Sequence, residues 1–403
     1  MSIVKWIVPF SATLLAMMTL QMSSLGFSPL LPAIQSEFHA NYSQIGLFTG
    51  LYGLIALVLS YPAGILAKRF GERVLMTFGL VVVSLGLCAL SVAPSFTLAL
   101  GARLAWLIGY RLAFVCVLTA LAFSIPESLR GSSMGILGAS SALASVIGAP
   151  FGSKIGEALG WRLGILAFGV ISILGAVVFV VFYRRPVDSE TVQVPKHPIG
   201  SPTPGGTPAY KVPAAWALAV LLGACNAGGF SSTFFVPAAL KTNFGMNAVG
   251  AAYVISTAYL FSIFANLACG YLMERFNRWT VMKCLLITVA ISAVAMTSSN
   301  LLVFRIASAA LIGLGLVCAN QVYGMGADVL RGRETGPVMG IVSLGAGMFG
   351  FVGPQLLGSL RDWTGSFNAG WCFMAALELV ALFVVIGLSK NSRPSPQPCD
   401  QKA

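Results

Sequence analysis

Four ionisable side chains lie within long apolar stretches of this sequence: Arg103, Arg111, Arg305 and Glu378. A charged group at membrane depth costs at least ~2.5 to 3.5 kcal/mol on insertion scales, so such groups are candidates for binding or ion transfer. Arg111 lies about fourteen residues into its stretch, roughly 20 Å from either edge along a helix. Its guanidinium has the planar donor fork that suits carboxylates and other oxyanions. We therefore predict that Arg111 binds an anion. Hydrogen bonds from Arg111 to backbone carbonyls at a helix break are the alternative.

The other three charges have different predicted roles. Arg103 and Arg305 lie nearer the ends of their stretches, where long side chains can reach the membrane interface. We expect a structural or gating role for them at least as much as contact with a ligand. Glu378 is the only carboxyl in the interior of an apolar stretch, which makes it the candidate for proton transfer. A buried, neutral acid bonded to a neighbouring helix is the alternative.

Neutral polar side chains at a similar predicted depth could complete a small-molecule site. Hydrogen-bonding groups set in an apolar wall are the usual mixture in such sites. Tyrosines serve in packing, with a satisfied hydroxyl, as often as they contact a ligand. The candidates are Gln21, Ser24, Tyr52, Tyr110, Asn226, Ser232, Tyr259, Asn320, Gln321, Tyr323 and Gln355.

The composition excludes several classes of protein. Charged residues make up 9% of the 403-residue chain, against ~25% in soluble domains, and the mean hydropathy is +0.87. These values exclude a soluble enzyme, a nucleic-acid-binding protein, a disordered chain and a secreted disulfide scaffold, and they predict a protein embedded in a bilayer. Histidine occurs only at His39 and His197, and the eight cysteines show no CxxC spacing. We therefore expect no metal, no cofactor and no enzymatic activity.

Apolar stretches of about 20 residues predict membrane-spanning helices, and charges, prolines and polar clusters mark their ends. Lysine and arginine concentrate in the segments that lie on the same side as the N-terminus, so both termini are predicted to be cytoplasmic. The pattern thus predicts an all-α membrane protein with twelve spans. They run over residues 7–33, 44–66, 74–93, 97–125, 134–158, 162–183, 214–240, 248–273, 279–298, 301–327, 337–360 and 369–389.

The chain contains an internal repeat. The segment GILAKRF at 64–70 resembles GYLMERF at 270–276, and ESLRG at 127–131 resembles DVLRG at 328–332. A proline-rich segment at 184–213 separates the two copies and is predicted to be a cytoplasmic linker. The predicted units are six-helix bundles at 1–183 and 214–389, with a cytoplasmic tail at 390–403.

Several motifs resemble those of the major facilitator superfamily. The family pattern G-x-L-A-D-R-x-G-R-R, between the second and third spans, is similar to GILAKRFGER at 64–73. In the fourth span, Arg103 and Gly109 match two positions of the family pattern R-x-x-x-G-x-G. The resemblance implies two pseudo-symmetric six-helix bundles with a substrate site between them near the bilayer midplane. It also implies that the fourth span, with Arg111, lines the cavity, and that the twelfth span, with Glu378, lies away from it.

The resemblance further implies a gate at the cytoplasmic ends of the helices. The family's aspartate is replaced here by Lys68, and Glu72 occupies a position that is often basic. Lys68 is therefore predicted to pair with Glu127 in reversed polarity, unless these charges are only solvated. The gating candidates are Lys68, Arg69, Arg73, Glu127, Arg130, Glu274, Arg275, Asp328 and Arg331.

Together these features predict a secondary active transporter, or symporter, of a small organic or inorganic anion in a bacterial-type plasma (inner) membrane. Coupling to a proton through Glu378 is one option, and anion exchange or proton symport without a dedicated carboxyl remain open. A drug or metabolite exporter is the first alternative, although exporters of lipophilic cations generally need a membrane-embedded acid in the cavity. A non-transporting sensor is the second. We expect a monomer surrounded by lipid, with a small-molecule substrate and no nucleic-acid partner.

Overall fold

The computed structural model of the chain describes residues 4–124, 130–183, 212–329 and 335–391. Regular structure in these ranges is helical. Within these described ranges, twelve stretches are long and apolar enough to cross a membrane, which confirms the predicted all-α membrane fold. The helices are α1 (Val4–Gly26), a 3-10 turn (Ser28–Leu30), α2 (Leu31–Glu37), α3 (Tyr42–Phe70), α4 (Glu72–Ser91), α5 (Phe96–Ser124), α6 (Arg130–Leu159), α7 (Trp161–Phe182), α8 (Pro213–Phe244), α9 (Ala248–Arg275), α10 (Arg278–Ala295), α11 (Leu301–Val329), α12 (Thr335–Thr364) and α13 (Asn368–Asn391).

The first span consists of α1, the 3-10 turn and α2 in succession. Proline lacks a backbone N–H, and its ring crowds the preceding helical turn. The sequence has Pro29 inside the 3-10 turn and Pro32 at the start of α2, and both fall where the regular helix is interrupted. The interruption follows Phe27, which has no exposed surface and whose ring centroid lies 5.6 Å from that of Phe234 on α8.

The second and eighth spans begin with the same local signal. The Asn41 side chain accepts a hydrogen bond from the Gln44 amide at 2.7 Å, and the Gln44 side chain accepts one from the Asn41 amide at 2.9 Å. Asn247 likewise accepts a hydrogen bond from the Gly250 amide at 2.9 Å before α9. Such caps satisfy amides that have no partner within the helix. The matching caps agree with the predicted repeat, while the boundaries of the two units stay a prediction, since residues 184–211 and 392–403 lie outside the described ranges.

The two halves touch along part of their length. Helix α3 packs against α12, and α6 packs against α9, with the Ser256 hydroxyl donating to the Val146 carbonyl at 2.8 Å. The backbones of α3 and α12 approach so closely that a Cβ atom on Gly50 would lie 2.7 Å from the Phe351 carbonyl oxygen. We call the end of the bundle at which α3 begins and α12 ends the closed end.

The halves separate toward the opposite end, which we call the open end. The contact between α3 and α12 extends to Leu57, whose Cβ lies 3.1 Å from the Cβ position of Gly347. Beyond that level, a Cβ atom on Gly64 or Gly340 would meet no atom of the described residues within 4 Å. We call the space beyond that level, where the described residues of α3 and α12 make no such close approach, the gap between the halves.

Candidate functional site

A layer of polar and aromatic side chains closes the gap at mid-depth. The Tyr110 hydroxyl donates a hydrogen bond to Gln21 Oε1, and the Tyr52 and Tyr110 hydroxyl oxygens lie 3.5 Å apart. The Tyr52 ring also packs on Phe230 of the other half, with ring centroids 4.9 Å apart. These four residues, which we call the tyrosine layer, join α1, α3, α5 and α8. Three of them were predicted site residues, and Phe230 was not.

Arg111 follows Tyr110 on α5, on the side of the tyrosine layer that faces the open end. Its Nε donates to the Ser60 hydroxyl at 2.8 Å, and its Nη2 donates to the same oxygen. The guanidinium carbon lies 5.5 Å from the Phe114 ring centroid, and the residue is partly exposed. In the described part of the chain no carboxylate forms an ion pair with it. Among the described side chains, only a neutral hydroxyl therefore contacts the Arg111 guanidinium by hydrogen bonds, and none compensates its positive charge.

Arg103 lies two turns earlier on α5, on the side of the tyrosine layer that faces the closed end. It has no exposed surface, so the expectation that its side chain would reach the membrane interface is wrong. Its guanidinium carbon lies 3.9 Å from the Trp106 ring centroid, 4.6 Å from that of Phe27 and 5.4 Å from that of Phe48. We call these residues the arginine cage. Arg305, the counterpart on α11, is exposed.

Other predicted site residues lie in separate places. Ser24 is buried on α1, and its hydroxyl has no partner among the described residues. Asn320 Nδ2 donates to Asn266 Oδ1 at 3.3 Å, while Gln355 Nε2 donates to the Ser43 hydroxyl at 2.9 Å, at the closed end. Five predicted residues remain. The Ser232 hydroxyl donates to the Gly228 carbonyl at 2.6 Å, and the Tyr259 hydroxyl lies 3.2 Å from that of Thr233. Asn226 and Gln321 are partly exposed, and Tyr323 is exposed.

Glu378 lies in the interior of α13 with no exposed surface. Neither carboxyl oxygen has a hydrogen-bond partner among the described residues. Its Oε1 would lie 2.6 Å from a Cβ atom on Gly228, so the absence of a side chain at Gly228 makes room for the carboxyl against α8. Helix α8 also carries Phe230 of the tyrosine layer. Helix α8 therefore lies between Glu378 and the gap between the halves.

Most predicted gating side chains cannot be placed. The side chains of Lys68, Arg130, Glu274 and Asp328, and all of Glu127 and Arg331, lie outside what the structure describes, so the predicted pair of Lys68 with Glu127 stays a prediction. Three candidates have described side chains. Arg69 and Arg275 are exposed, and their guanidinium carbons lie 5.5 Å from the Phe70 ring centroid and 5.2 Å from the Tyr271 ring centroid, respectively. Arg73 donates from its Nη2 to the Val180 carbonyl at 2.6 Å.

Glu72 differs from the expectation of a solvated charge. Only 6% of its surface is exposed, and its Oε1 accepts a hydrogen bond from the Tyr183 hydroxyl at 3.1 Å. The bond joins the start of α4 to the end of α7 within the first half. The sequence alone could not reveal this, because the two residues lie 111 positions apart.

The closed end contains a polar contact between the halves that sequence reasoning missed. Asp362 on α12 accepts hydrogen bonds from the Tyr42 amide (Oδ1, 3.0 Å) and the Ser43 amide (Oδ2, 2.7 Å) at the start of α3. The hydroxyl oxygens of Ser43 and Ser359 lie 3.1 Å apart, and Arg361 lies 4.9 Å from the Tyr42 ring. An acid in the last turn of a span was the only signal in the sequence.

Twelve candidate membrane-spanning stretches in the described ranges, arranged in two halves, define a multi-pass membrane protein. Residues 10–237 and 219–402 match the family model of the Major Facilitator Superfamily, and the chain belongs to that family. It is therefore a transporter and not an enzyme.

Comparison with known proteins supports the same class. The fold is similar to that of a bacterial homologue of the human lysosomal transporter Spinster in its inward-facing, occupied conformation, with a TM-score of 0.78, 16% identity and coverage of 98% of this chain and 100% of that chain. A hexuronate transporter of Bacillus subtilis is 21% identical, covering 88% of each chain. A nitrite extrusion protein of Bacillus subtilis is 22% identical over 91% of this chain and 90% of that protein. Mouse monocarboxylate transporter 11 is 25% identical over 91% of this chain and 83% of that protein.

Proposed function

We propose that the protein is a secondary active transporter that moves a small organic or inorganic anion, such as a carboxylate, across the plasma membrane by alternating access. The observation that carries the proposal is Arg111. Its guanidinium lies at the level where the halves separate and is held only by the neutral Ser60 hydroxyl among described hydrogen-bond partners. A buried or half-buried guanidinium without a carboxylate partner favours an anionic ligand, since it can donate two parallel hydrogen bonds to it.

The names of three relatives point to the same charge class. Hexuronate, nitrite and monocarboxylates are anions, although they differ in size. At 21% to 25% identity, these names support the charge of the substrate more than its shape. One of the names refers to extrusion, so we leave the direction of transport to experiment.

The orientation of the protein in the membrane follows from the distribution of lysine and arginine, which favours cytoplasmic termini. The open end would then face the cytoplasm, because α3 ends and α12 begins there. The conformation would be inward-facing, like the named state of the Spinster homologue. Transport then requires the closed end to open and the open end to close around the bound anion.

Proton coupling through Glu378 is part of the proposal. A carboxyl with no exposed surface and no described partner is more stable neutral than charged, so it can take up a proton and release it when its surroundings change. The position of Glu378 against Gly228 of α8 links its charge to the helix that carries Phe230. Helix movement during alternating access would therefore change the environment of this carboxyl.

Uptake into proteoliposomes tests the function. We expect radiolabelled lactate, glucuronate or nitrite to accumulate in vesicles that contain the full chain, and we expect choline not to accumulate. An inward proton gradient should increase the accumulation of the anion. If no anion enters while an organic cation does, the proposal is wrong and a cation exporter replaces it.

A further inference from the structure

We propose that Arg103 is a second anion-binding residue of the transport path, which holds the substrate on the closed-end side of Arg111. The inference rests on the proposed function, since it concerns the path of the same anion. The two arginines lie eight residues apart on α5, which corresponds to about 12 Å along the helix. Between them, Tyr110 forms the tyrosine layer with Gln21 and Tyr52.

Arg103 is a buried cation without a described ion-pair partner. Its side chain has no exposed surface, and no carboxylate of the described residues pairs with it. Its Nε reaches the Phe48 carbonyl only at 3.4 Å. A cation in such a place normally has a paired charge, because removing it from water is costly. The protein therefore maintains a positive charge whose counter-charge is not another described side chain.

The aromatic rings of the arginine cage explain only part of this arrangement. The rings of Trp106, Phe27 and Phe48 attract the cation through their electron-rich faces. They provide no oxygen atom that could accept hydrogen bonds from the guanidinium. Accordingly, neither Nη1 nor Nη2 of Arg103 has a partner within the described residues. Buried donors of this kind are almost always satisfied in proteins.

A second unpaired donor lies on the same residues. The indole Nε1 of Trp106 is also buried without a described partner, and Trp106 is the ring nearest to the Arg103 guanidinium. Both groups can only donate hydrogen bonds. The partner that would satisfy them must therefore supply acceptor atoms, and an oxyanion such as a carboxylate supplies both acceptors and the missing negative charge.

The tyrosine layer supplies the barrier between the two arginines. On the open side, Arg111 is partly exposed, so an anion that enters the gap meets it first. On the closed side, Phe27 of the cage contacts Phe234 of the other half, with ring centroids 5.6 Å apart. Phe230 connects the tyrosine layer with the arginine cage, since its ring centroid lies 4.9 Å from those of both Tyr52 and Phe234. A movement of α8 relative to α3 and α5 would therefore open the tyrosine layer and expose Arg103 at the same time.

Transport kinetics of Arg103 variants test the assignment. The full chain in proteoliposomes is assayed for uptake of lactate and glucuronate, with Arg103→Gln, Arg103→Lys and, as the matched control, Arg305→Gln on the equivalent helix of the second half. We expect Arg103→Gln to raise the KM at least tenfold or to abolish uptake, Arg103→Lys to raise it less, and Arg305→Gln to leave it unchanged. Thermal unfolding of each variant is measured in parallel. If Arg103→Gln or Arg103→Lys unfolds at a lower temperature but transports with the parent's KM, Arg103 is only structural and the assignment is wrong.

Tryptophan emission provides a test that requires no change at Arg103. Binding of an anion next to Trp106 should alter the emission of the purified parent protein, and Trp106→Phe should remove that change. If the parent transports lactate or glucuronate but neither anion alters the emission of Trp106, the anion does not visit the cage and the assignment is overturned. If the parent transports no anion at all, the proposed function fails, which is a different result from a transporter that ignores Arg103.

Discussion

The carboxylate of Asp362 caps the first two amides of α3 from the other half of the molecule, with Oδ1 3.0 Å from the Tyr42 nitrogen and Oδ2 2.7 Å from the Ser43 nitrogen. These amides have no partner within their own helix, and the positive end of the helix dipole favours a carboxylate there. The contact exists only while the closed end is closed. It therefore stabilises one state of the transport cycle relative to the other.

Substitution of Asp362 should shift the conformational equilibrium. We expect Asp362→Ala to destabilise the closed end by about 1 kcal/mol, or roughly fivefold, because the contact is charge-assisted but exposed to solvent. Spin labels at Ser95 and Lys241, which lie at this end on opposite halves, should show a larger population of long distances. Glu157→Gln, which removes an exposed carboxylate of α6, is the control and should have no effect. An unchanged distance distribution in Asp362→Ala would show that the capping bonds do not bias the equilibrium.

Substitution of Arg111 tests the first anion contact. Arg111→Ala should abolish anion uptake while the protein still folds, since Ser60 is its only described hydrogen-bond partner. Arg111→Lys should restore little uptake, because an ammonium cannot donate the two parallel bonds of a guanidinium. Thermal stability and uptake of lactate are measured for both variants. Normal uptake by the alanine variant would remove Arg111 from the path.

Substitution of Glu378 tests proton coupling. Glu378→Gln keeps the volume of the side chain but cannot bind or release a proton, so we expect accumulation driven by a proton gradient to be lost. Exchange of labelled for unlabelled anion across the membrane needs no net proton movement and should continue. Glu157→Gln serves again as the control. A Glu378→Gln variant that accumulates anion as the parent does would show that the proton uses another route.

The bond between Tyr183 and Glu72 should contribute to the stability of the first half. Tyr183→Phe removes a hydroxyl that donates to a buried carboxyl at 3.1 Å, and we expect a loss of about 1 to 3 kcal/mol in the free energy of unfolding. Tyr61→Phe removes a hydroxyl from a side chain that is 70% exposed, so it should have no measurable effect. Thermal unfolding of the purified variants compares the two. Equal stability of both variants would mean that water replaces the Tyr183 hydroxyl at no cost.

The pair of Lys68 with Glu127 is tested by charge reversal. The pair of Lys68 with Glu127 would stabilise the outward-facing state, in which the helix ends at the open end come together. If it does so, Lys68→Asp should reduce transport, although this change restores the residue common in the family. Adding Glu127→Lys should recover transport, with an effect on the equilibrium of about 1 kcal/mol because the site is near water. Full activity of Lys68→Asp alone would show that Lys68 is only a solvated charge.

The sequence by itself determined the number of membrane spans and their helical type. Spans of about 20 apolar residues leave no other regular structure that satisfies the backbone inside a bilayer. The paired segments 64–70 and 270–276 likewise indicated two related halves. These signals are local in the chain or repeat along it, so they can be read without coordinates.

The tertiary structure decided which polar side chains meet and which are buried. From its position in the sequence, Arg103 was expected to extend to the interface, yet the rings of Phe27, Phe48 and Trp106 from three different segments enclose it. Asp362 meets the amides of Tyr42 and Ser43 about 320 residues away. Burial and pairing depend on how helices from distant parts of the chain pack, and the hydrophobic pattern that predicts each helix contains no information about which of its neighbours will face a given side chain.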